Sequence, residues 1–436
     1  MDGEGIPEEG LSAEEVLAAI RTRRDRDADW RGGRTFSLVY NPDRPDLEKL
    51  QEQVALEFLH ENALNPFAFP SLTEMDAEVV AWGAGLVHGP GHGRMTSGGT
   101  ESIFLAVQTA RDDALEGRGL TAPVLLTADT VHPAFAKAAK YLGMEHVKVP
   151  VGPDGRADPI AMTERMDALT ERIALVVGSA PCYPYGVIDP IPELAGAAAQ
   201  RGLLFHTDAC LGGWLLPFWE ELGRPVPPWD FRVEGVTSLS ADVHKYGWTI
   251  KGASLVLYRD KALLGRQFFL YDGWPGGLYG SATTAGTRPA APIAVAWATI
   301  RHLGRTGYLE LATKVAEATD RFREGIVDIG GLALTHQPDM SVMEIGAARA
   351  ASGAGAVDIG ASGAVDIGAS GAVDIGAVGD FMDDRGWHLD RQQGGLHLML
   401  WPYHLKVADQ FLADLAEAAR TTTAGRGKAA SYGGIA

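Results

Sequence analysis

The sequence predicts an α/β protein built on a mostly parallel sheet with helices laid over it. Two observations carry that prediction. Apolar runs of strand length, Pro123–Thr127 (PVLLT), Ile173–Gly178 (IALVVG) and Leu203–His206, alternate with helical segments at 134–142, 158–171 and 192–201. That is the order a parallel sheet with crossover helices requires. Residues able to do chemistry then fall just past the carboxyl ends of those strands. Asp208 follows one, and a loop beginning at Ser179 follows another. Sheets of this kind hold their sites there.

Composition narrows the class. The 436 residues carry a formal net charge of -18, with 46% hydrophobic and 22% charged. This allows a large core and a second, smaller domain. It argues against a nucleic-acid or anionic-membrane surface. The two cysteines, Cys182 and Cys210, give neither a disulfide framework nor zinc spacing, and no metal is expected. The first thirty residues hold no apolar segment that would make a signal peptide, and no apolar run is long enough for a transmembrane helix. A cytoplasmic protein is expected.

The N-terminal part reads as helical. Ser12 with Glu15 forms a capping box for a helix through Arg24. Phe36–Tyr40 reads as a short extended piece. A helix over 47–62 places Leu50, Val54, Phe58 and Leu59 on one face. The loop Asn62–Ser71 is rich in Phe, and it is expected to line something buried. Another helix spans 73–86, and Gly89, Gly91 and Gly93 read as a turn.

Ser97-Gly98-Gly99-Thr100 then precedes a helix over 103–115. Backbone N–H groups exposed at a helix start make an anion cradle. Glycines alone would equally be a tight turn, but Ser97, Thr100 and Ser102 add hydroxyl donors. A short strand is expected at 147–149. Asp208 closes an apolar strand, and it reads equally as a turn aspartate or as a buried counter-charge. Lys245 lies between the apolar-leaning strands 236–239 and 253–258. Desolvation there should lower its pKa and leave a usable amine. A lone lysine is more simply a surface residue, so its reading depends on the other stretches.

Past Lys245 comes an aromatic loop, 271–279, and a hydroxyl-rich turn, 280–289, which is equally a phosphate-donor loop or a polar surface loop. Helices are expected over 291–303 and 307–327, with a boundary near residue 305. The expected organisation is an N-terminal helical segment (1–60), a large domain (61–305) and a small C-terminal α/β domain (306–436). The octamer SGAVDIGA occurs at Ser362–Ala369 and Ser370–Ala377, with an imperfect copy at Ser352–Ala361. Residues 352–377 read as a flexible surface loop. A helix over 378–386, strands at 388–392 and 396–401, and a closing helix over 406–420 complete the chain.

These pieces fit one cofactor. Pyridoxal 5'-phosphate (PLP) needs an amine, a carboxylate at the pyridinium nitrogen, a stacking group and a phosphate cradle. Lys245, Asp208, His132 and the loop from Ser97 to Ser102 supply one of each. The strings TSGGTES (Thr96–Ser102), PYGVIDPI (Pro184–Ile191), HTDACLGG (His206–Gly213), SADVHKYG (Ser240–Gly247) and YGSATTAGTRP (Tyr279–Pro289) resemble the PLP-dependent group II decarboxylase family. Within it they are most similar to the sphingosine-1-phosphate lyases.

The resemblance implies the PLP-dependent transferase type I fold, with a seven-stranded sheet in the large domain, and an obligate homodimer with shared active sites. It implies Lys245 as the Schiff-base lysine, Asp208 as the pyridinium partner and His132 as the stacking ring. Ser97, Gly98, Gly99, Thr100 and His244 would hold the cofactor phosphate, helped by Ser281, Thr283, Gly286 and Thr287 from the other subunit. Tyr40, Asn65, Tyr183 and Lys251 would line the substrate pocket, with Tyr40 and Tyr183 taking part in catalysis. The implied activity is retro-aldol cleavage of a phosphorylated long-chain amino alcohol to an aldehyde and phosphoethanolamine. The alternatives are amino-acid decarboxylation and an impaired PLP-binding or interaction protein. Asn65 stands where the lyases usually carry a histidine, Ala282 where they carry a proline and Ala290 where they carry a glycine.

Overall fold

The structure, a computed structural model, describes residues 5–348, 373–422, 424–426 and 430. Seven strands form the main sheet: β1 (His92–Thr96), β2 (Val124–Ala128), β3 (Glu145–Val149), β4 (Ile173–Ser179), β5 (Leu204–Asp208), β6 (Ser238–Ala241) and β7 (Ser254–Tyr258). Their order is β1-β7-β6-β5-β4-β2-β3. Every pairing is parallel except those of β7, which runs antiparallel to β1 and β6. Strands β2, β4, β6 and β7 are buried at every position. Helices cover both faces, so β2 and β4 read as near-continuous apolar runs, while β6 (SLSA) buries two serines.

Strand β1 corrects the reading of residues 89–93 as a turn alone. Gly93 sits within it because a Cβ there would come 2.5 Å from the Val256 carbonyl oxygen of β7. A glycine marking close backbone approach inside a strand looks, in sequence, like a turn.

A hairpin, β8 (Phe269–Tyr271) with β9 (Tyr279–Ser281), leads to the helix Ala291–Val327. That helix is broken at Gly304, where φ is +55°, so the two helices expected there meet at a glycine able to take left-handed backbone. A second, antiparallel sheet has the order β10-β11-β13-β12. Its strands are β10 (Leu332–Leu334), β11 (Val342–Ala347), β12 (Asp390–Arg391) and β13 (Leu396–Met399).

The second sheet has its own core, which includes Phe322, Trp387, Leu398 and Phe411. Phe36 belongs to it and stacks on His404 at 4.3 Å. Its N–H donates to the His388 carbonyl at 3.3 Å, and its own carbonyl accepts from Met399 N–H at 2.9 Å. The stretch 36–40, expected to be extended, instead bends, with Leu38 at φ of +69°; it is pinned to the C-terminal part of the chain and delivers Tyr40 to the site.

The N-terminal capping box forms, and the helix it starts spans Ala13–Arg24. The next helix is Pro45–Glu57, shorter than expected, with Leu47 as its buried residue. Val54 and Phe58 of its expected apolar face pack, with Ala63 and Phe69 of the following loop, against Leu72, Ala290 and Ala294, whereas Leu59 (62% exposed) and Phe67 (93% exposed) stay outside that contact within the single chain. Most of the octamer repeat lies outside the described residues. Its last residues, 375–377, open the helix Ile375–Asp384, capped by Asp374.

The loop after β4 passes directly under β11. Gly186 there has φ of +70°, and a Cβ would collide with the Val342 carbonyl oxygen. Gly186→Ala should therefore cost about 1–3 kcal/mol of stability for the strained backbone alone. A urea midpoint unchanged from wild type would contradict this.

Candidate active site

Strand ends bring the chemistry together. Across the sheet, Thr96 pairs with Ser254, Ser240 with Asp208 and Asp208 with Ser179. The carboxyl ends of β1, β4, β5 and β6 thus share one edge with the start of β7. The turn Asp242-Val243-His244-Lys245 leaves β6 at that edge.

Lys245 Nζ lies 2.9 Å from Asp242 Oδ2. This corrects the sequence reading of a lysine neutralised by burial. Burial does push the amine's pKa down, but the adjacent Asp242 carboxylate outweighs it and holds Lys245 charged, well above its ordinary value. Asp242 is buried and itself held below the usual carboxylate range: burial opposes this, and Lys245 and His244 prevail. Sequence reasoning passed over Asp242. An acidic residue three positions before a lysine was the available signal.

The glycine loop packs onto this pair. A Cβ on Gly99 would come 2.7 Å from Asp242 Oδ2 and 2.8 Å from Cys210 Sγ. Gly98 starts the helix Gly99–Asp112, which has no side-chain cap, so its first-turn N–H groups stay available to an anion. Ser97 N–H donates to Glu101 at 2.6 Å. Glu101 also accepts from the Thr284 N–H at 2.9 Å and from the Thr284 hydroxyl. Thr96, Ser102 and Ser254 form a hydroxyl ladder (2.7 and 2.8 Å) tying the loop to β7. Neither Glu101 nor Thr284 stood out in sequence. Ser281 and Thr283 instead spend their hydroxyls on carbonyls of their own turn. Gly286 lies beside Tyr279, and the turn as a whole sits against the glycine loop of the same chain through Thr284.

Asp208 is buried and accepts from Cys210 N–H at 3.1 Å and from the Ser240 hydroxyl at 3.2 Å. Behind Ser240 stands His206, fully buried, with Nε2 3.2 Å from Ser240 Oγ and Nδ1 2.9 Å from Ser238 Oγ. Burial pushes His206 down to about 4, so its ring is neutral. One direction satisfies the chain: Ser238 donates to His206, His206 to Ser240, and Ser240 to Asp208. His132 accepts from Ala134 N–H at 3.2 Å. Its pKa is lowered chiefly by burial, against the Asp208 charge.

The remaining predicted residues divide into two groups. Lys251 Nζ donates to the His244 carbonyl at 3.2 Å and sits 4.6 Å from the centre of the Tyr40 ring. Lys251 is exposed as a residue, but desolvation of its amine, then the Lys245 charge, pushes it down to about 8. Tyr40 also meets Tyr246 edge-on at 5.2 Å. Tyr183 is held by the second sheet. Asn65 is exposed, and its side-chain oxygen accepts from Phe67 and Ala68 N–H at 2.9 and 3.3 Å, which caps its own turn.

His206, His244 and His397 are each pushed down to about 4 by burial. In the unfolded chain a histidine binds its proton near pH 6.5. Between those values the unfolded state holds more protons, so stability should fall as pH drops from about 6.5 toward 4. Denaturant midpoints measured across that window check this, and a flat profile would contradict it.

These residues fit PLP. Two buried polar atoms beside the glycine loop, His244 Nδ1 and Asp242 Oδ1, have no hydrogen-bond partner among the described residues. The uncapped helix start faces the same space, next to a half-buried lysine and a buried carboxylate. A family model, the pyridoxal-dependent decarboxylase conserved domain, matches residues 58–343. The chain belongs to this family. It is accordingly a PLP-dependent lyase, with the type I fold.

This family member is 39% identical over 435 residues to a sphingosine-1-phosphate lyase of Arabidopsis thaliana, covering 97% of this chain and 75% of that protein. It is 29% identical over 418 residues to an L-aspartate decarboxylase of Thermococcus kodakarensis, covering 95% and 99%. The solved sphingosine-1-phosphate lyase of Burkholderia pseudomallei superposes with a TM-score of 0.85 at 34% identity, covering 95% and 92%. Among the described residues no helix is long and apolar enough to cross a membrane.

Proposed function

We propose that the chain cleaves a phosphorylated long-chain amino alcohol, of the sphingosine-1-phosphate type, to a long-chain aldehyde and phosphoethanolamine. The observation that carries this reading is Lys251. Its amine sits against Tyr40 and the His244 carbonyl, beside the lysine that takes the cofactor. A cation there suits a substrate phosphate.

PLP bound at Lys245 supplies an electron sink for the pair released when a bond next to the substrate amine breaks. Asp208, oriented by Ser240 and Cys210, supports positive charge at the ring nitrogen. His132 would pack on the ring. Gly99, Thr100 and His244 would hold the cofactor phosphate, with Ser97 and Gly98 shaping the loop. Tyr40 and Tyr183 are the residues for the proton on the substrate hydroxyl, and Lys251 with the Asn65 amide receives the substrate phosphate.

The same reading includes a cytoplasmic homodimer in which the turn holding Ser281, Thr283, Gly286 and Thr287, tied to its own glycine loop through Thr284, would also reach the partner's site. The exposed apolar hairpin supports assembly: Leu270 is 66% exposed, Trp274 51% and Leu278 74%. A second reading, amino-acid decarboxylation, draws on the archaeal relative and on Asn65 in place of a charged histidine.

Lys251→Gln tests the substrate reading. Loss of one charge-assisted bond to phosphate should raise KM about 10- to 100-fold. The visible cofactor band should be unchanged. An unaltered KM for the phosphorylated substrate would overturn this role of Lys251.

A further inference from the structure

Tyr183 is held from two sides by the second sheet. Its hydroxyl donates to Asp390 Oδ2 at 2.6 Å. Its ring lies on the His397 imidazole, with centroids 4.1 Å apart and planes 21° from parallel. Asp390 and His397 are direct partners across the β12–β13 ladder, so one strand pair presents both.

His397 is fully buried and neutral, and its Nε2–H donates to the Tyr183 carbonyl at 2.8 Å. One histidine thus fixes the backbone and ring of the tyrosine, while one carboxylate fixes its hydroxyl. Strand β12 is two residues long, too short to be secured by its own ladder. Arg391 secures it, pairing with Asp380 at 3.0 Å and Asp383 at 2.6 Å on the helix Ile375–Asp384 and donating to the Gly376 carbonyl at 3.0 Å.

Residues two apart on a strand share a face. Met399 therefore lies on the His397 side of β13, and its sulfur meets Tyr40 Oη at 3.5 Å. A single face of β13 touches both tyrosines, one from the N-terminal stretch and one from the loop after β4.

We propose that Asp390 and His397 are positioning residues for Tyr183, and that the β12–β13 pair sets its hydroxyl in the substrate pocket in register with Tyr40. The inference rests on the reading of Tyr183 as a substrate-pocket residue, and deepens it. Because its O–H is donated in a hydrogen bond to Asp390, the Tyr183 oxygen presents its lone pairs elsewhere. Toward the substrate it accepts a hydrogen bond from a hydroxyl.

The test compares wild type, Asp390→Ala, Asp390→Asn, Tyr183→Phe and the Asp390→Ala/Tyr183→Phe double variant, all loaded with PLP and assayed with sphingosine-1-phosphate. Asp390→Ala should lower kcat/KM about 10- to 100-fold, the scale of one hydrogen bond to a charged group, with the visible band unchanged. Asp390→Asn, whose amide oxygen still accepts, should stay much closer to wild type. In the Tyr183→Phe background Asp390→Ala should cost almost nothing further. An equal loss in both backgrounds would overturn the proposal, since Asp390 would then act independently of Tyr183.

Amide hydrogen exchange provides an arm that needs no substrate. Asp390→Ala should speed exchange across residues 182–186 and leave β5 and β6 protected. Unchanged exchange over 182–186 would overturn the proposal whatever the substrate. A wild type that releases no aldehyde would overturn the substrate reading instead, and the exchange result then decides the role of Asp390 alone.

Discussion

Lys245→Ala is expected to yield a colourless protein whose turnover falls by more than about 10^4-fold, the scale on which a covalent catalytic group is lost. It should also be less stable without cofactor. Asp242 is 2% exposed and pairs with Lys245 at 2.9 Å. Removing the amine strands a buried carboxylate, which costs about 3–5 kcal/mol when one partner of a buried pair is deleted. Lys245→Arg separates the two effects. Its guanidinium keeps a cation beside Asp242, so stability should largely return, but it cannot form the imine, so colour and turnover should not. A Lys245→Ala protein that is yellow after PLP loading and desalting would contradict the assignment. So would a Lys245→Arg protein as active as wild type.

Asp208→Asn is expected to fold, to bind cofactor more weakly and to lose about 10²- to 10³-fold in kcat, the scale of removing one preorganised electrostatic partner. The amide oxygen can still accept from Cys210 N–H and Ser240, so the local bonds at 3.1 and 3.2 Å survive. Only the charge is gone. Asp208→Ala removes the acceptor as well and leaves two buried donors unpaired, at about 1–3 kcal/mol each. Kinetics and thermal midpoints measured on both variants distinguish charge from acceptor. Wild-type kcat in the Asn variant would contradict a role for Asp208 at the ring nitrogen.

Much of this architecture was legible in sequence for a simple reason. Buried parallel strands such as IALVVG are apolar on both faces, and the chemistry of such sheets sits at strand ends. Asp208 and the glycine loop stood out from their place in the alternation, and Lys245 and His132 took on meaning only once the pieces were set beside the family they resemble. What escaped detection depended on contacts across distance. Asp242 looks like an ordinary turn residue until its 2.9 Å approach to Lys245 is seen, and that approach reversed the expected direction of the lysine pKa. His206 reads as one more residue of an apolar strand, yet it backs Ser240 and through it Asp208. Strand β1 was hidden by Gly93, which serves close backbone approach. Asp390 and Phe36 carry no local motif, because the partners that give them meaning lie 207 residues before one and hundreds after the other.

The most direct measurement is product analysis on the PLP-loaded protein. It would be incubated with sphingosine-1-phosphate and, separately, with aromatic and acidic amino acids. The account predicts long-chain aldehyde and phosphoethanolamine from the first, absent in Lys245→Ala, and no carbon dioxide from the second. Carbon dioxide without aldehyde would contradict it. The bond broken would then be the one to a carboxylate, and Asn65 would mark where this chain parts from the lyases.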